Sequence, residues 1–360
     1  MGHGPLRDSV ALLFAYHGFA EEIFGIYLSV LSLISVVVPF LLSYLSVRHG
    51  AVYLGVAGCI VGFAAALGLG FFSIWIIFPF AFLLHFSQDA FNYTISNRIK
   101  VEIEEDRRSK FFALQGLMIS GAAAIGLLIG GLITAYFDIT LFFAVFSALF
   151  LVAGWMVLRV GKVLKDRGAA AKESKAANKG LMRRVLKRRA FWGFCLANVF
   201  ASFYDISLMF LPLLGLVLGF DISQLLVMIG IITAINAICG LVLGHIFDSK
   251  SRKSRKTLYV ANLFMDMIPA LAFALTASPV VFVAAYIFIV FKGVLSPVAL
   301  AYFFDCFAED EAQIAMGLLS SVSYAVQIVL PLAVGFLWAR GHGIVFIAAA
   351  VGIALAGGFA

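Results

Sequence analysis

Lys162 to Gly180 reads KVLKDRGAAAKESKAANKG, a run of lysine, alanine and short polar residues with no apolar stripe. It sits inside the one long polar segment of the chain, residues 160–189, and the sequence changes character on both sides of it. Apolar runs recur at 23–46, 52–70, 75–97, 111–135, 139–158, 190–217, 223–246, 258–276, 280–304, 313–338 and 343–360, and residues 1–18 read as the outer half of one more helix. Runs of this length match a helix crossing a hydrocarbon core of about 30 Å and are too long and too evenly apolar for barrel strands. Lipid offers the backbone no partners, so the spans must satisfy their own hydrogen bonds as helices. The chain is therefore expected to be an all-α, polytopic membrane protein with eleven full spans and a partial first helix. Its expected divisions are a helical bundle over 1–159, a basic linker over 160–189 and a second bundle over 190–360.

Composition agrees. Of 360 residues, 63% are hydrophobic and 12% are charged, whereas soluble domains are nearer one half and one quarter. Cys59, Cys195, Cys239 and Cys306 stand far apart in or beside apolar runs, with no metal or disulfide spacing. They read as small buried hydrophobes. No metal or other cofactor is expected. No clustered acid, base or metal motif of an intramembrane enzyme is present, so the chain is not expected to be an enzyme. The start, MGHGPLRDSVALLF, runs straight into a span and does not read as a cleavable signal.

The net charge of +7 is unevenly distributed. Alternate connections carry nearly all the lysine and arginine: Arg98 to Lys110, Arg159 to Arg189, and the run Lys250, Arg252, Lys253, Arg255, Lys256. The opposite connections carry almost none, Arg340 excepted. This is a positive-inside pattern, and it places the linker in the cytoplasm of a multi-pass protein of the cell membrane. The basic residues are not interleaved with aromatics in a nucleic-acid pattern, so the expected partners are the lipid bilayer and a small molecule.

The two sides of the linker resemble each other. Gly18-Phe19 corresponds to Gly219-Phe220, and Gly116-Leu117 to Gly317-Leu318, both at an offset of 201 residues. Two six-helix halves joined by a linker form a parallel-repeat transporter plan. By the same offset, residues 190–201 have no counterpart in the first half, so the first helix is expected to begin upstream of Met1.

Between the second and third spans of the second half stands Gly244-His-Ile-Phe-Asp248-Ser-Lys-Ser-Arg252-Lys253. This resembles the GxxxDxxxxK/R loop motif of the major facilitator superfamily. The equivalent stretch of the first half, Ser43 to Gly50, has Val47 at the aspartate position and keeps only Arg48 and Gly50. Gly126-Leu-Leu-Ile-Gly130-Gly131 is similar to a glycine element of family antiporters, with Leu127 replacing its proline. Small residues at this spacing also let membrane helices pack closely. The resemblance implies a monomeric transporter of two pseudo-repeat bundles working by alternating access. It also implies a cytoplasmic gate held by Gly244, Asp248 and Arg252, with Arg48 and Gly50 as remnants of its twin.

An ionisable group inside a membrane is costly unless paired or hydrated, so each one raises a functional question. His85, Gln88, Asp89 and Asn92 lie on one face of the fourth span, at i, i+3, i+4 and i+7. They are expected to bind substrate or protons, or to form a structural polar network. Asn198, Ser202 and Asp205 share a face of the seventh span, Lys292 and Ser296 lie in the tenth, and Asp8 follows Arg7 in the first. Lys292 is expected to pair with Asp89 or Asp205, since a buried ammonium without an anion loses its proton. Tyr93 and Tyr204 are candidates to stack on a substrate. Asp266, in the ninth span, is expected to pack against a neighbour. Glu21 and Glu22 suit a helix start, Asp138, Asp221 and Arg340 read as solvated loop charges, and Asp305 as either a gate residue or a solvated one. Together these features describe a secondary active transporter of a small organic solute, proton-coupled and directed to efflux. Nutrient or organic-acid uptake, and a degenerate non-transporting relative, are the alternatives.

Overall fold

The computed structural model describes residues 4–49, 51–71, 78–87, 90, 105–163, 178–248, 252–293, 302–303, 305–307 and 309–359. The helices, in order, are α1 Gly4–Tyr16, α2 Glu21–His49, α3 Ala51–Phe71, α4 Phe78–Ser87, α5 Glu105–Tyr136, α6 Ile139–Val163, α7 Asn178–Lys187, α8 Arg189–Leu208, α9 Leu211–Val217, α10 Ile222–Asp248, α11 Arg252–Met265, α12 Met267–Leu275, α13 Pro279–Gly293, α14 Glu309–Trp338 and α15 His342–Phe359. Among the described residues there is no strand.

Among the described residues, six stretches are long and apolar enough to cross a membrane: Val52–Leu69, Ile139–Arg159, Arg189–Leu208, Arg255–Leu275, Ser321–Trp338 and His342–Phe359. Shorter apolar helices, Glu22–Ile34, Phe78–Ser87, Gly121–Tyr136, Ile222–Ile235 and Pro279–Ile289, overlap the other five expected spans. Along α6 the side chains of Leu141, Val145, Leu149, Val152, Trp155 and Met156 are exposed. In water such a face would be a liability; in lipid it is the outer surface of the bundle.

Among the described residues, two expected spans are interrupted, each close to a proline. The run 190–217 breaks after Leu208, where Met209 and Phe210 turn and Pro212 occupies the first turn of α9. A proline has no N–H to give the carbonyl four residues back and its ring clashes with that carbonyl; for Pro212 that carbonyl is Leu208's. The run 258–276 breaks at Asp266, three residues before Pro269. The Asp266 N–H donates to the Leu263 carbonyl three residues back, the tighter step of a broken turn. Pro331, by contrast, sits inside the continuous helix α14.

The two Gly-Phe pairs of the repeat end their helices identically. Gly18 (φ 70°) follows α1 and Gly219 (φ 90°) follows α9. Gly18 N–H donates to Ala15 O and Phe19 N–H to Phe14 O; Gly219 N–H donates to Leu216 O and Phe220 N–H to Gly215 O. This is the Schellman stop, whose left-handed residue is tolerated best by glycine.

The helices form two compact units. One comprises residues 1–3, 34–171 and 222–227; the other comprises 4–33, 172–221 and 228–360. In the first, α3 packs along α6. A Cβ at Gly154 would meet the Cys59 Cβ at 3.1 Å, and one at Gly62 would collide with Phe150 and Ser87. In the second, α15 is the centrepiece and packs on α8, α11, α12 and α14. Its contact faces are lined by small residues: Ala349, Ala350 and Ala356 are buried, and a Cβ at Gly352 would lie 2.9 Å from the Phe200 carbonyl oxygen. Helices in membranes associate by such close van der Waals packing, because lipid and leucine are equally apolar. The glycine element of α5 serves the same purpose. A Cβ at Gly131 would lie 2.9 Å from the Ser223 carbonyl oxygen and strike Val227.

Candidate functional site

The polar residues of α8 do different things. Asn198 Nδ2 donates to Ser323 Oγ of α14 at 2.7 Å, and Ser323 Oγ donates to the Leu319 carbonyl at 2.9 Å. Ser202 is buried and returns its proton to the Asn198 carbonyl at 2.7 Å. These bonds tie α8 to α14 near the middle of the span. Asp205, one turn further along α8, is exposed. Its neighbour Tyr204 points elsewhere, since consecutive residues are about 100° apart on a helix. Tyr204 is 1% exposed and packs with Ala270, Ala349, Ala350 and Ile353. The expectation that it would stack on a substrate is corrected by that burial: its ring fills the contact between α8, α12 and α15. Its hydroxyl faces the Asp266 carboxylate. Asp266, 3% exposed at the break between α11 and α12, is thus a buried partner of the helix packing.

In the other unit, His85 is half-buried on α4, and Ser87, two residues on, is wholly buried. Gln88, Asp89, Asn92, Ser296 and Gly50 lie outside the described residues. Asp8, Arg48, Gly244, Asp248, Arg252 and Lys292 lie on described helices, but their side chains are outside the description. The expected pairing of Lys292 with an aspartate falls there too. Among the described residues no cluster of His, Cys, Asp or Glu has metal-holding geometry.

The linker end of α8 carries a charge network that the sequence did not single out. Glu311, in the first turn of α14, is 3% exposed and forms ion pairs with Arg188 Nη2 at 2.6 Å and Arg184 Nε at 3.9 Å. Arg188 Nη1 also donates to the Cys306 carbonyl at 3.3 Å. Nearby, Arg255 Nη1 donates to Asp305 at 3.0 and 3.2 Å. Asp305 is therefore a paired residue, anchoring the start of α11 to the segment before α14. Its alternative, a merely solvated charge, does not hold. Asp138 is exposed just before α6, where it accepts the Ile139 N–H at 2.7 Å and the Thr140 hydroxyl at 3.0 Å. The signal for Glu311 was available in Glu309-Asp310-Glu311, an acidic triplet opening a span on the basic side of the chain.

The opposite end of the same unit is aromatic. Phe24 of α2 meets Phe210 with ring centroids 5.2 Å apart, and Phe210 meets Trp338 at 5.3 Å. Trp338 meets Phe346 at 6.1 Å, and Phe346 meets Phe273 at 5.3 Å. Gly25 fits so closely against α14 that a Cβ there would lie 2.6 Å from the Pro331 carbonyl oxygen. The first turns of α2 thus pack on α14 within this unit, at the end away from the linker.

The family model of the Major Facilitator Superfamily matches residues 9–294. The chain belongs to this superfamily. It superposes on the crystal structure of nucleoside transporter NupG with a TM-score of 0.73 at 12% identity, covering 99% of this chain and 96% of that one. A mutant of NupG gives 0.74 at 13% identity, covering 98% and 94%. A bacterial homologue of the human lysosomal transporter Spinster, in an inward-facing and unoccupied conformation, gives 0.69 at 12% identity, covering 99% and 93%. These likenesses concern the fold. A comparison with curated proteins finds no match. The facilitator is a multi-pass membrane protein and a secondary transporter rather than an enzyme.

Proposed function

We propose that this facilitator moves a small organic solute by alternating access, coupled to protons and directed outward. The observation that carries the reading is Asp205. It is an exposed carboxylate on an apolar spanning helix, and a charge at that depth is tolerable where it faces water or a partner. A site containing it, with His85, Gln88, Asp89, Asn92, Asn198, Lys292, Ser296 and Asp8, mixes acidic, basic and neutral polar groups, which suits a solute carrying both a charge and hydrogen-bonding groups. The Asn198–Ser323 bond supports the reading differently. It is neutral and holds α8 to α14, leaving Asp205 as the titratable member of that face.

The aromatic contacts of Phe24 with Phe210, and the close fit of Gly25 on α14, lie at the end of their unit away from the linker, where an alternating-access carrier needs a gate. In this reading the bundles 1–159 and 190–360 work against each other, with Gly244, Asp248, Arg252, Arg48 and Gly50 as the cytoplasmic gate. The facilitator would act as a monomer in the cell membrane.

The test is flux in proteoliposomes with an imposed pH gradient. Solute accumulation that follows the gradient, and is lost in Asp205→Asn while the protein stays folded, supports the reading. Gradient-driven flux undiminished in Asp205→Asn would remove Asp205 from the mechanism. Solute counterflow with no response to pH would remove proton coupling.

A further inference from the structure

The junction of α7 and α8 carries five cations in seven residues: Arg183, Arg184, Lys187, Arg188 and Arg189. Glu311 engages Arg184 and Arg188. Among the described residues, Arg183, Lys187 and Arg189 are exposed and have no acidic partner within ion-pair distance. Their direction is set by the packing beneath them. Val185 is fully buried in a cluster with Phe191, Phe194, Tyr302 and Phe307. Arg183 and Lys187 lie two positions to either side of it, about 160° around the helix, so fixing Val185 inward turns both cations outward.

The location is equally constrained. Arg189 is the first residue of a membrane-spanning helix, so this cluster lies at a bilayer surface. Arg188 is extended (φ −77°, ψ 125°) between the two helices, which lets α7 leave the line of α8. Trp192 donates its indole N–H to the Leu186 carbonyl at 2.8 Å, yet its side chain remains 52% exposed, and Met182 is 44% exposed. An indole whose polar atom is tied down and whose ring is bare is a typical interfacial anchor. Cations beside exposed apolar side chains on a pinned amphipathic helix match one class of surface, a leaflet of negatively charged headgroups.

We propose that the α7–α8 junction binds anionic phospholipid headgroups of the linker-side leaflet, with Arg183, Lys187 and Arg189 as the phosphate-binding cations and Trp192 and Met182 as the apolar anchors. The site is independent of whatever solute is carried. The Arg188–Glu311 pair holds α7 against the bundle and so presents the cations as a fixed array.

The experiment is a melting-temperature titration of the full chain in detergent with phosphatidylglycerol, phosphatidylcholine or inorganic phosphate. Phosphatidylglycerol should raise the melting temperature saturably, as a ligand of the folded state does, while the other two leave it unchanged. In the triple variant Arg183→Gln, Lys187→Gln, Arg189→Gln, the half-saturating lipid concentration should rise by about tenfold or more, since each cation near an anionic surface contributes several-fold in affinity. Arg340→Gln, at the other end of α14, should respond as the wild type. An equal response to phosphatidylcholine, saturation by free phosphate, or an unchanged triple variant overturns the proposal. If the triple variant does not fold, the wild type decides: brominated phosphatidylglycerol should quench tryptophan fluorescence more than brominated phosphatidylcholine, and the difference should vanish in Trp192→Phe. Equal quenching by the two lipids, or a difference that survives in Trp192→Phe, overturns it.

Discussion

Arg188 lies 2.6 Å from Glu311, a carboxylate whose side chain is 4% exposed against 42% for the arginine. The pair joins the start of one span to the start of another. Its carboxylate is desolvated and its arginine is not, so removing the charge on Glu311 costs more than an ordinary surface pair would. Glu311→Gln should lower stability by about 1–2 kcal/mol, above an exposed ion pair and below a fully buried one. It should also loosen α7, so that trypsin cleaves within residues 183–189 several-fold faster than in the wild type. An unchanged cleavage rate would show that α7 is held by Val185 and its apolar neighbours alone.

Gly219 and Gly18 should answer to substitution through the backbone alone. A Cβ at either position meets nothing within 4 Å, so space is not the constraint. The positive φ is, and a side chain there costs about 1–2 kcal/mol. Gly219→Ala should lower the melting temperature measurably, and Gly219→Asn, which enters the left-handed region more readily, should lower it less.

Gly352 tests the opposite case. It has ordinary helical geometry but faces the Phe200 carbonyl, 2.9 Å from where a Cβ would stand. Gly352→Val should destabilise by about 1–3 kcal/mol through overpacking of α8 against α15. Gly358→Ala, six residues on with nothing within 4 Å, should be neutral to slightly stabilising, because alanine is the better helix former. Equal effects at both positions would mean that α15 does not pack on α8 as described.

Asn198→Ala should separate structure from transport. It removes the donor to Ser323 but leaves Ser323 bonded to the Leu319 carbonyl, so the loss should be about 1 kcal/mol. Asp205→Asn, at an exposed position, should leave the melting temperature nearly unchanged and abolish gradient-driven flux. A melting temperature that falls more in Asp205→Asn than in Asn198→Ala would assign Asp205 a structural role.

Much of this molecule is local, and the local part was legible in the sequence. Span positions follow from runs of apolar residues, but the breaks at Leu208 and Asp266 do not, since Pro212 and Pro269 interrupt their helices while Pro331 sits within an unbroken one. The paired turns at Gly18 and Gly219 follow from a repeat of two residues at a fixed offset, because a left-handed helix stop needs nothing from the rest of the fold. The polar face of α8 was visible as spacing alone. Which neighbour each face meets was not. In a soluble helix the apolar stripe points to the core, but here the lipid face and the packing face are equally apolar, so Tyr204 and Asp205 could not be told apart until α12 and α15 covered one of them. Tertiary structure alone brought Arg188 to Glu311, Arg255 to Asp305 and Phe24 to Phe210, pairs far apart in the chain. No local rule links them: each depends on which helices stand side by side, and that choice is made by small residues such as Gly131 and Gly352, whose contribution is the room they leave.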